Sequence, residues 1–360
     1  MSSVIKANRY EIFLGNDTFH QIGKLLARKN YSKLFILVDE NTKTHCLPLL
    51  QHGVPALIDS HLLEIKSGEA SKRLETIAEL WKQLTQQNAD RNVLLINLGG
   101  GVVSDVGGFV ASTYMRGIDF INIPTTLLAM VDASVGGKNG INFEGLKNHI
   151  GTFDNPQAVF VSPVFLKTLP ANEIRCGFAE VIKHALISDE RKWKQVLAIE
   201  NFDDVNWTDI IRESIWTKNK IVNSDFKDRG KRHSLNFGHT IGHALESYSM
   251  KHETNPLRHG EAVAIGIVGE AWLSRHTLAF SEKDAQDVYA LIKRLYPIST
   301  AVSANDLIEI MKSDKKNHHS KISFSLLEDI GEPAINQTPD ESMIQQAIEF
   351  SKEQLMSASE

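Results

Sequence analysis

Between Tyr10 and Val161 short apolar runs alternate with stretches of helical periodicity, and that alternation leaves few architectures open. KLFILVDE is followed by the amphipathic pattern LETIAELWKQL, and then by VLLINLGGG, FINIPTT and AVFVS. Apolar runs bounded by turn residues and separated by amphipathic helices mark βα units, whose strands run parallel and are covered on both faces. After Pro163 the texture changes: long amphipathic segments dominate, and Val/Ile-rich strand candidates nearly vanish until KISFSLLEDIG near residue 325. A chain of 360 residues, 42% of them hydrophobic, can bury two cores. The sequence predicts an α/β parallel-sheet domain over residues 1–165 and a mainly α-helical domain over 166–360. With no repeat and no low-complexity linker, ligands are expected in the cleft between the two.

The formal net charge of −5 argues against nucleic acid as a partner, because binding a phosphate backbone needs a basic face. Cys46 and Cys176 form no CxxC pair, so neither a disulfide framework nor a thiolate zinc site is expected, and both read as reduced core thiols. The opening MSSVIKANRYEIFLG has no signal-peptide character, and no run of about eighteen apolar residues occurs. The expectation is a cytoplasmic protein without membrane contact.

The strand Val93–Leu98 runs into Gly99, Gly100 and Gly101, with Asp105, Gly107 and Gly108 beyond. Glycines there let the backbone approach a phosphate closely, and if Val102–Tyr114 is a helix its amino end faces an anion such as a pyrophosphate. This is not the GxGxxG fingerprint, and a plain tight turn would use the same residues. Asp39, at the end of LFILVD, occupies the place from which an acid takes ribose hydroxyls, although a lone Asp there more often caps a helix.

In NFGHTIGHALE, His239 and His243 are four apart and share a helix face, and His259 follows in RHGEAVAIG. The metalloprotease pattern HExxH fails, since Thr240 stands in place of the glutamate. Glu180 lies in the apolar helix GFAEVIKHALI, with Lys183 and His184 on the same face, and a buried carboxylate there needs a partner or a metal. The residue types point to a His/His/Glu metal site with one histidine left as acid or base, and spacing does not say which.

GGGVVSDVGGF, MRGIDFINIPTTLLAMVDASVGGK, LKNHIG, GFAEVIKHALI, LNFGHTIGHALE and HGEAVAIG occur in this order across nearly the whole chain. Together they resemble the sugar-phosphate cyclases, and among them the 3-dehydroquinate synthases. The resemblance implies a Rossmann-like NAD domain, a helical metal domain and a homodimer with its active site between domains. By matched position the metal, zinc or cobalt, would be held by Glu180, His239 and His259, with His243 facing substrate. NAD would be met by Asp39, by Ser67, Glu69 and Lys72 of SGEASK, and by Gly101, Val102, Val103, Ser104 and Asp105. Thr125, Thr126, Lys138, Lys147 and the run Phe165, Leu166, Lys167, Thr168 complete that set. Substrate would be met by Asp132, Lys138, Asn148, Lys183, Lys218, Arg232 and Asn236, by Lys316 of DKKN, and by Arg116 reaching across the dimer to the phosphate.

The implied activity converts 3-deoxy-D-arabino-heptulosonate 7-phosphate to 3-dehydroquinate and phosphate, by transient oxidation with NAD, phosphate elimination, re-reduction and an intramolecular aldol closure. A substrate with a carboxylate and a phosphate calls for a cationic pocket even in an acidic protein. The chain departs from the family pattern at Ser67, where aspartate is frequent, at Ser104, where glycine is usual, at Asn139, where threonine is usual, and in NFEGLKN with its Glu144 and Leu146. Rival readings are the cyclases that make 2-deoxy-scyllo-inosose or valiolone-type cyclitols, and a metal- and NAD-dependent polyol dehydrogenase. Asn236 and His243 favour dehydroquinate, the number of substrate-facing cations disfavours the dehydrogenase, and the intact ligand set disfavours a decayed, non-catalytic homologue.

Overall fold

The apolar runs of the first half become neighbouring strands of one sheet. The computed structural model describes residues 3–144, 146–296, 302–312 and 321–355. Its strands are β1 (Ser3–Lys6), β2 (Glu11–Leu14), β3 (Leu34–Asp39), β4 (His61–Ile65), β5 (Leu94–Gly99), β6 (Asp119–Pro124), β7 (Lys138–Phe143), β8 (Leu146–Phe153), β9 (Ala158–Val161), β10 (Phe324–Asp329) and β11 (Glu332–Gln337). The chain divides into two compact units, one comprising Met1–Ile174 and Asn206–Asn219, the other Arg175–Val205 and Lys220–Glu360.

In the first unit the sheet order is β1-β2-β9-β6-β5-β3-β4, parallel throughout except for the β1–β2 hairpin at its edge. Every residue of β5 is buried, as a central strand covered on both faces requires. The chain leaves β3 toward β4 on one side and places β5 on the other, so strand order reverses between the ends of β3 and β5. At such a switch point an open parallel sheet forms its ligand crevice, beyond the carboxyl ends of the strands. Asp39 and Gly99 are the last residues of those two strands.

Helix Gly101–Thr113 lies tight against the sheet because two of its residues have no side chain. A Cβ on Gly107 would stand 1.9 Å from Oδ1 of Asn97, and one on Gly108 would stand 2.0 Å from Oδ1 of Asn139. Asn97 is fully buried, and its Nδ2 donates to Asn122 Oδ1 across the β5–β6 pair at 2.9 Å. Asn139 donates to the Asp154 carbonyl at 3.0 Å.

The second unit is built on helix His259–Thr277, which is buried almost continuously from Gly260 to Ser274 and is correspondingly apolar there, with Glu270 as the one fully buried charge. Helix His239–His252 crosses it at backbone contact: a Cβ on Gly266 would lie 2.0 Å from the Gly238 carbonyl, and one on Gly242 would lie 3.1 Å from that of Ala262. Helices Ala171–Leu186, Glu282–Leu295 and Glu341–Leu355 and the antiparallel β10–β11 pair complete the unit, the first of them beginning in the other unit. No helix among the described residues is long and apolar enough to cross a membrane.

Gly107→Ala pits better helix propensity, about 1 kcal/mol, against a collision with a locked core amide, and overpacking is the larger effect. The variant is expected to lose about 1 to 3 kcal/mol in urea unfolding. Gly23→Ala, in helix Thr18–Arg28 with nothing within 4 Å of its new Cβ, is expected to gain up to about 1 kcal/mol. Equal effects of the two substitutions would remove the packing argument.

Candidate functional site

In the first unit the sequence-predicted residues gather at the carboxyl end of the sheet. Asp39 caps helix Glu40–His45: its Oδ1 accepts from Thr42 N at 2.8 Å, and its own N–H donates to the Thr42 hydroxyl at 2.9 Å. The plainer reading of Asp39 is therefore realised, while Oδ2 makes no hydrogen bond among the described residues and stays available to a ligand. Gly101, Val102 and Val103 open helix Gly101–Thr113, whose cap residue Gly100 has no side chain to close the orphan amides. Val103 is buried against Gly99, so only its backbone faces outward chemistry. The Ser104 hydroxyl is buried without a hydrogen-bond partner among the described residues. Thr125, buried, and Thr126 follow β6, with Thr125 N bound to the Gly99 carbonyl at 3.0 Å. Ser67 gives both its N–H and its hydroxyl to Glu40, at 2.7 and 2.9 Å. Phe165 and Leu166 are buried in the turn Pro163–Thr168, which leaves Lys167 and Thr168 exposed.

Lys72 ties several of these residues together. Its buried ammonium donates to Asp105 Oδ2 at 2.7 Å and to Asn148 Oδ1 at 2.5 Å, and lies 3.8 Å from Glu69. Burial raises the Asp105 pKa and Lys72 only partly offsets it. Asn142, unremarked in the sequence, binds three of these partners: Glu69 Oε1, the Asn148 amide and the Lys72 carbonyl, each at 2.8 Å. It fixes the left-handed Asn148, at φ 47°. Lys138 is exposed on β7 and Lys147 half-buried on β8. Asp132 sits in a π-helical turn, Ala129–Ala133, a local distortion that recurs at functional sites. Lys218 donates to its carbonyl at 2.7 Å and pairs with its carboxylate at 2.8 Å.

Arg116 stands apart. Met115, Arg116 and Gly117 have φ of 49°, 69° and 117°, a run of left-handed backbone that costs about 1 to 3 kcal/mol at each non-glycine residue. Its exposed side chain makes no hydrogen bond or ion pair among the described residues.

In the second unit Glu180, fully buried, faces two imidazoles: its Oε1 is 3.2 Å from His239 Nε2 and 3.3 Å from His259 Nε2. Lys183, one turn along, pairs with its other oxygen. A tetrahedron of bonds of about 2.0 Å has edges of about 3.3 Å, which the two distances from Glu180 Oε1 match, and all three atoms lie within 4.8 Å of one another, so the group could hold a small divalent cation. His239 gives Nδ1–H to the Phe237 carbonyl at 3.1 Å, leaving the lone pair of Nε2 toward Glu180. His243 lies on the same helix with its ring centroid 5.0 Å from that of His239 and 5.9 Å from that of His259. Arg232, buried, donates to the Phe226 carbonyl at 2.9 Å, and Asn236 ends the turn Lys231–Asn236 that leads to His239. Lys316 lies outside the described residues.

Burial opposes the Glu180 charge, but Lys183 and His239 more than reverse it and hold its pKa well below the ordinary value. Burial and Lys183 lower His239, whereas His259, despite burial, is raised to about 9 by its hydrogen bonds to Glu180 and Glu246. Glu270 is a further buried carboxylate that sequence reasoning passed over. It accepts from the amides of Gly238, Thr240 and Ile241 at 2.6, 2.9 and 3.2 Å, closing the amino end of the helix that carries His239 and His243. The signal was present: GIVGEAW is a carboxylate inside an apolar helix, the pattern that singled out Glu180.

The 3-dehydroquinate synthase N-terminal family model matches residues 62–176 and the C-terminal one residues 177–317. A 3-dehydroquinate synthase of Parabacteroides distasonis is 41% identical over 348 residues, 95% of this chain and 98% of the relative. A solved structure of 2-deoxy-scyllo-inosose synthase complexed with carbaglucose-6-phosphate, NAD+ and Co2+ matches with a TM-score of 0.84 at 24% identity, covering 98% of this chain and 99% of that one. One of 2-epi-5-epi-valiolone synthase from Streptomyces hygroscopicus subsp. jinggangensis, with NAD+ and Zn2+ bound, matches with a TM-score of 0.78 at 24% identity over 98% and 99% of the two chains. Both structures share the fold of this chain.

A cation entering between Glu180, His239 and His259 must displace the proton that His259 keeps below a pH of about 9. Zn2+ affinity, measured by chelator competition from pH 6.5 to 9, is therefore expected to rise about tenfold per pH unit, with about one proton released per metal at pH 7.5. An affinity that does not change with pH would contradict this account of His259.

Proposed function

We propose that this chain, which belongs to the 3-dehydroquinate synthase family, converts 3-deoxy-D-arabino-heptulosonate 7-phosphate to 3-dehydroquinate and phosphate with NAD and one divalent metal ion, zinc or cobalt. The observation that carries the reading is the Glu180–His239–His259 group, built on a fully buried carboxylate, in a chain that also keeps a glycine-opened helix at the switch point of a parallel sheet.

When bound, NAD supplies a reversible hydride acceptor and the metal a Lewis acid that makes a substrate hydroxyl easier to oxidise. The rest falls to the chain's own side chains. The amino end of helix Gly101–Thr113 receives the pyrophosphate, the free oxygen of Asp39 takes a ribose hydroxyl, and Ser104 offers its hydroxyl. Glu69, Lys72, Asp105, Thr125, Thr126, Lys147 and the segment from Phe165 to Thr168 shape the same nucleotide site. Lys138, Asn148, Lys183, Lys218, Arg232 and Asn236 bind the substrate's carboxylate, phosphate and hydroxyls, with Asp132 fixing the Lys218 ammonium. His243, not needed as a ligand, moves a proton to or from the substrate. Arg116, unpaired among the described residues on its strained turn, serves the phosphate of a second copy in a homodimer. We place the protein in the cytoplasm, where its two cysteines stay reduced: both are buried and unbridged, and burial together with Asp39 pushes the Cys46 thiol up to about 12.

Supplied with the heptulosonate phosphate, NAD and Zn2+ or Co2+, the protein is expected to release phosphate and a carbocyclic product without lasting NADH. Accumulating NADH would indicate a dehydrogenase instead. Alanine at Glu180, His239 or His259 is expected to remove bound metal and turnover together, whereas His243→Ala keeps its metal and loses turnover.

Arg116→Ala should weaken substrate binding while leaving NAD and metal binding intact. Mixed with His243→Ala, it should regain activity as subunits exchange, because one site of each hybrid then carries neither defect. No recovery despite confirmed exchange would place Arg116 outside a shared site.

A further inference from the structure

Glu246 has no role in the reading above, yet its placement asks for one. It lies one turn beyond His243 on helix His239–His252 and is 7% exposed, so its charge is largely removed from water. Its Oε2 is 3.3 Å from Nδ1 of His259, while Nε2 on the opposite side of that ring is 3.3 Å from Glu180 Oε1. One imidazole is thus held between two carboxylates from two other helices.

The two histidines of the group differ in what orients them. His239 is fixed by its own chain, through the Phe237 carbonyl two residues earlier. His259 is the first residue of its helix, preceded by the largely exposed segment 253–258, and its side chain is 27% exposed. Its orientation therefore depends on a group brought by another element, and Glu246 is the carboxylate that meets its Nδ1.

We propose that Glu246 is the positioning residue of the metal site: by accepting the Nδ1–H of His259 it fixes the tautomer and the ring plane that present Nε2 to the cation. The inference rests on Glu180, His239 and His259 being the ligands. The carboxylate also raises the electron density of the ring, which strengthens Nε2 as a donor. A carboxylate oxygen of Glu246 also lies within 4.8 Å of ligand atoms of both His243 and His259, so the competing role, that Glu246 itself ligates, is open to the same experiment.

The parent protein, Glu246→Gln and Glu246→Ala are stripped of metal and titrated with Zn2+ against a competing chelator, and the visible spectrum of each Co2+ form is recorded. Both variants are expected to bind one metal, Glu246→Ala about 10- to 100-fold more weakly than the parent, with Glu246→Gln between them because its amide oxygen still accepts the Nδ1–H. The Co2+ absorption should shift in Glu246→Ala while the melting temperatures of the metal-free forms stay close, which a merely structural role would not produce. Zn2+ affinity within twofold of the parent in both variants would overturn the proposal. So would a tetrahedral Co2+ spectrum replaced by one of lost coordination, which would make Glu246 a ligand. A parent protein that binds no metal would instead bring down the ligand assignment on which the proposal stands. Should Glu246→Ala fail to fold, Glu246→Gln decides through the same affinity and spectrum.

Discussion

A carboxylate with no exposure to water has to be met by positive charge or by donors, and at Glu180 that requirement organises the second unit. Lys183 answers it from the same helix, while His239 and His259 answer it from the starts of two other helices. Those two helices must then cross closely enough for both rings to reach one oxygen. The crossing is close because Gly238, Gly242 and Gly266 bring backbone against backbone where any side chain would intervene. Glu270 closes the same junction by taking three amides of the turn at Gly238, so the histidine helix starts at a fixed height and angle. A buried acid and glycines within helices are each costly alone, and the left-handed φ of 80° at the turn is one that Gly238 adopts without steric cost. Together they bring three donor atoms within 4.8 Å of one another.

The first unit meets a different demand, the exposure of backbone rather than the burial of charge. Helix Gly101–Thr113 can present open amides only if its start carries no side chain and its body lies flush on the sheet. Gly99 to Gly101 serve the first need, Gly107 and Gly108 the second. Asn139 belongs to this arrangement: its amide fills the space that Gly108 leaves and reaches the Asp154 carbonyl, so the departure from threonine at that position fits its surroundings. Ser67 likewise has a local account, since Glu40 takes both its donors. The Ser104 hydroxyl has none among the described residues.

How far the sequence could be read follows from the range of each interaction. The strands Leu34–Asp39, Leu94–Gly99, Asp119–Pro124, Ala158–Val161 and Phe324–Asp329 and the helices at Leu74–Gln86, Ala171–Leu186 and His239–His252 all lie where apolar runs and periodicity pointed, because central strands and packed helices are patterned by burial itself. The β1, β4, β7, β8 and β11 strands did not stand out. They lie at a sheet edge or form a separate pair, and β1, β4, β8 and β11 are mostly exposed or half-exposed, so their sequences carry no long apolar run. Spacing brought His239, His243 and His259 to attention but could not rank them; the resemblance did so, and Nε2 of His239 and Nε2 of His259 lie 3.2 and 3.3 Å from Glu180 Oε1. The π turn at Asp132 and the bonds of Asn142 were beyond reach, since both depend on backbone geometry set by distant segments.

Capping and ligand binding draw on the same atoms, which is why single-residue readings of this sequence were ambiguous. Asp39 is both the helix cap that its position made the commoner reading and a carboxylate with a second oxygen to offer, because capping uses only Oδ1. His239 is both a partner of the Phe237 carbonyl and a donor through Nε2, because an imidazole has two nitrogens of opposite duty. Lys72 is at once the counter-charge of a buried Asp105 and the hydrogen-bond partner of Asn148, because an ammonium has three protons. In each case the structural bond holds the polar group in one orientation and leaves a second valence aimed elsewhere. A bland role and a chemical one therefore coexist in the same side chain, and the structural bond is what gives the chemical one its direction.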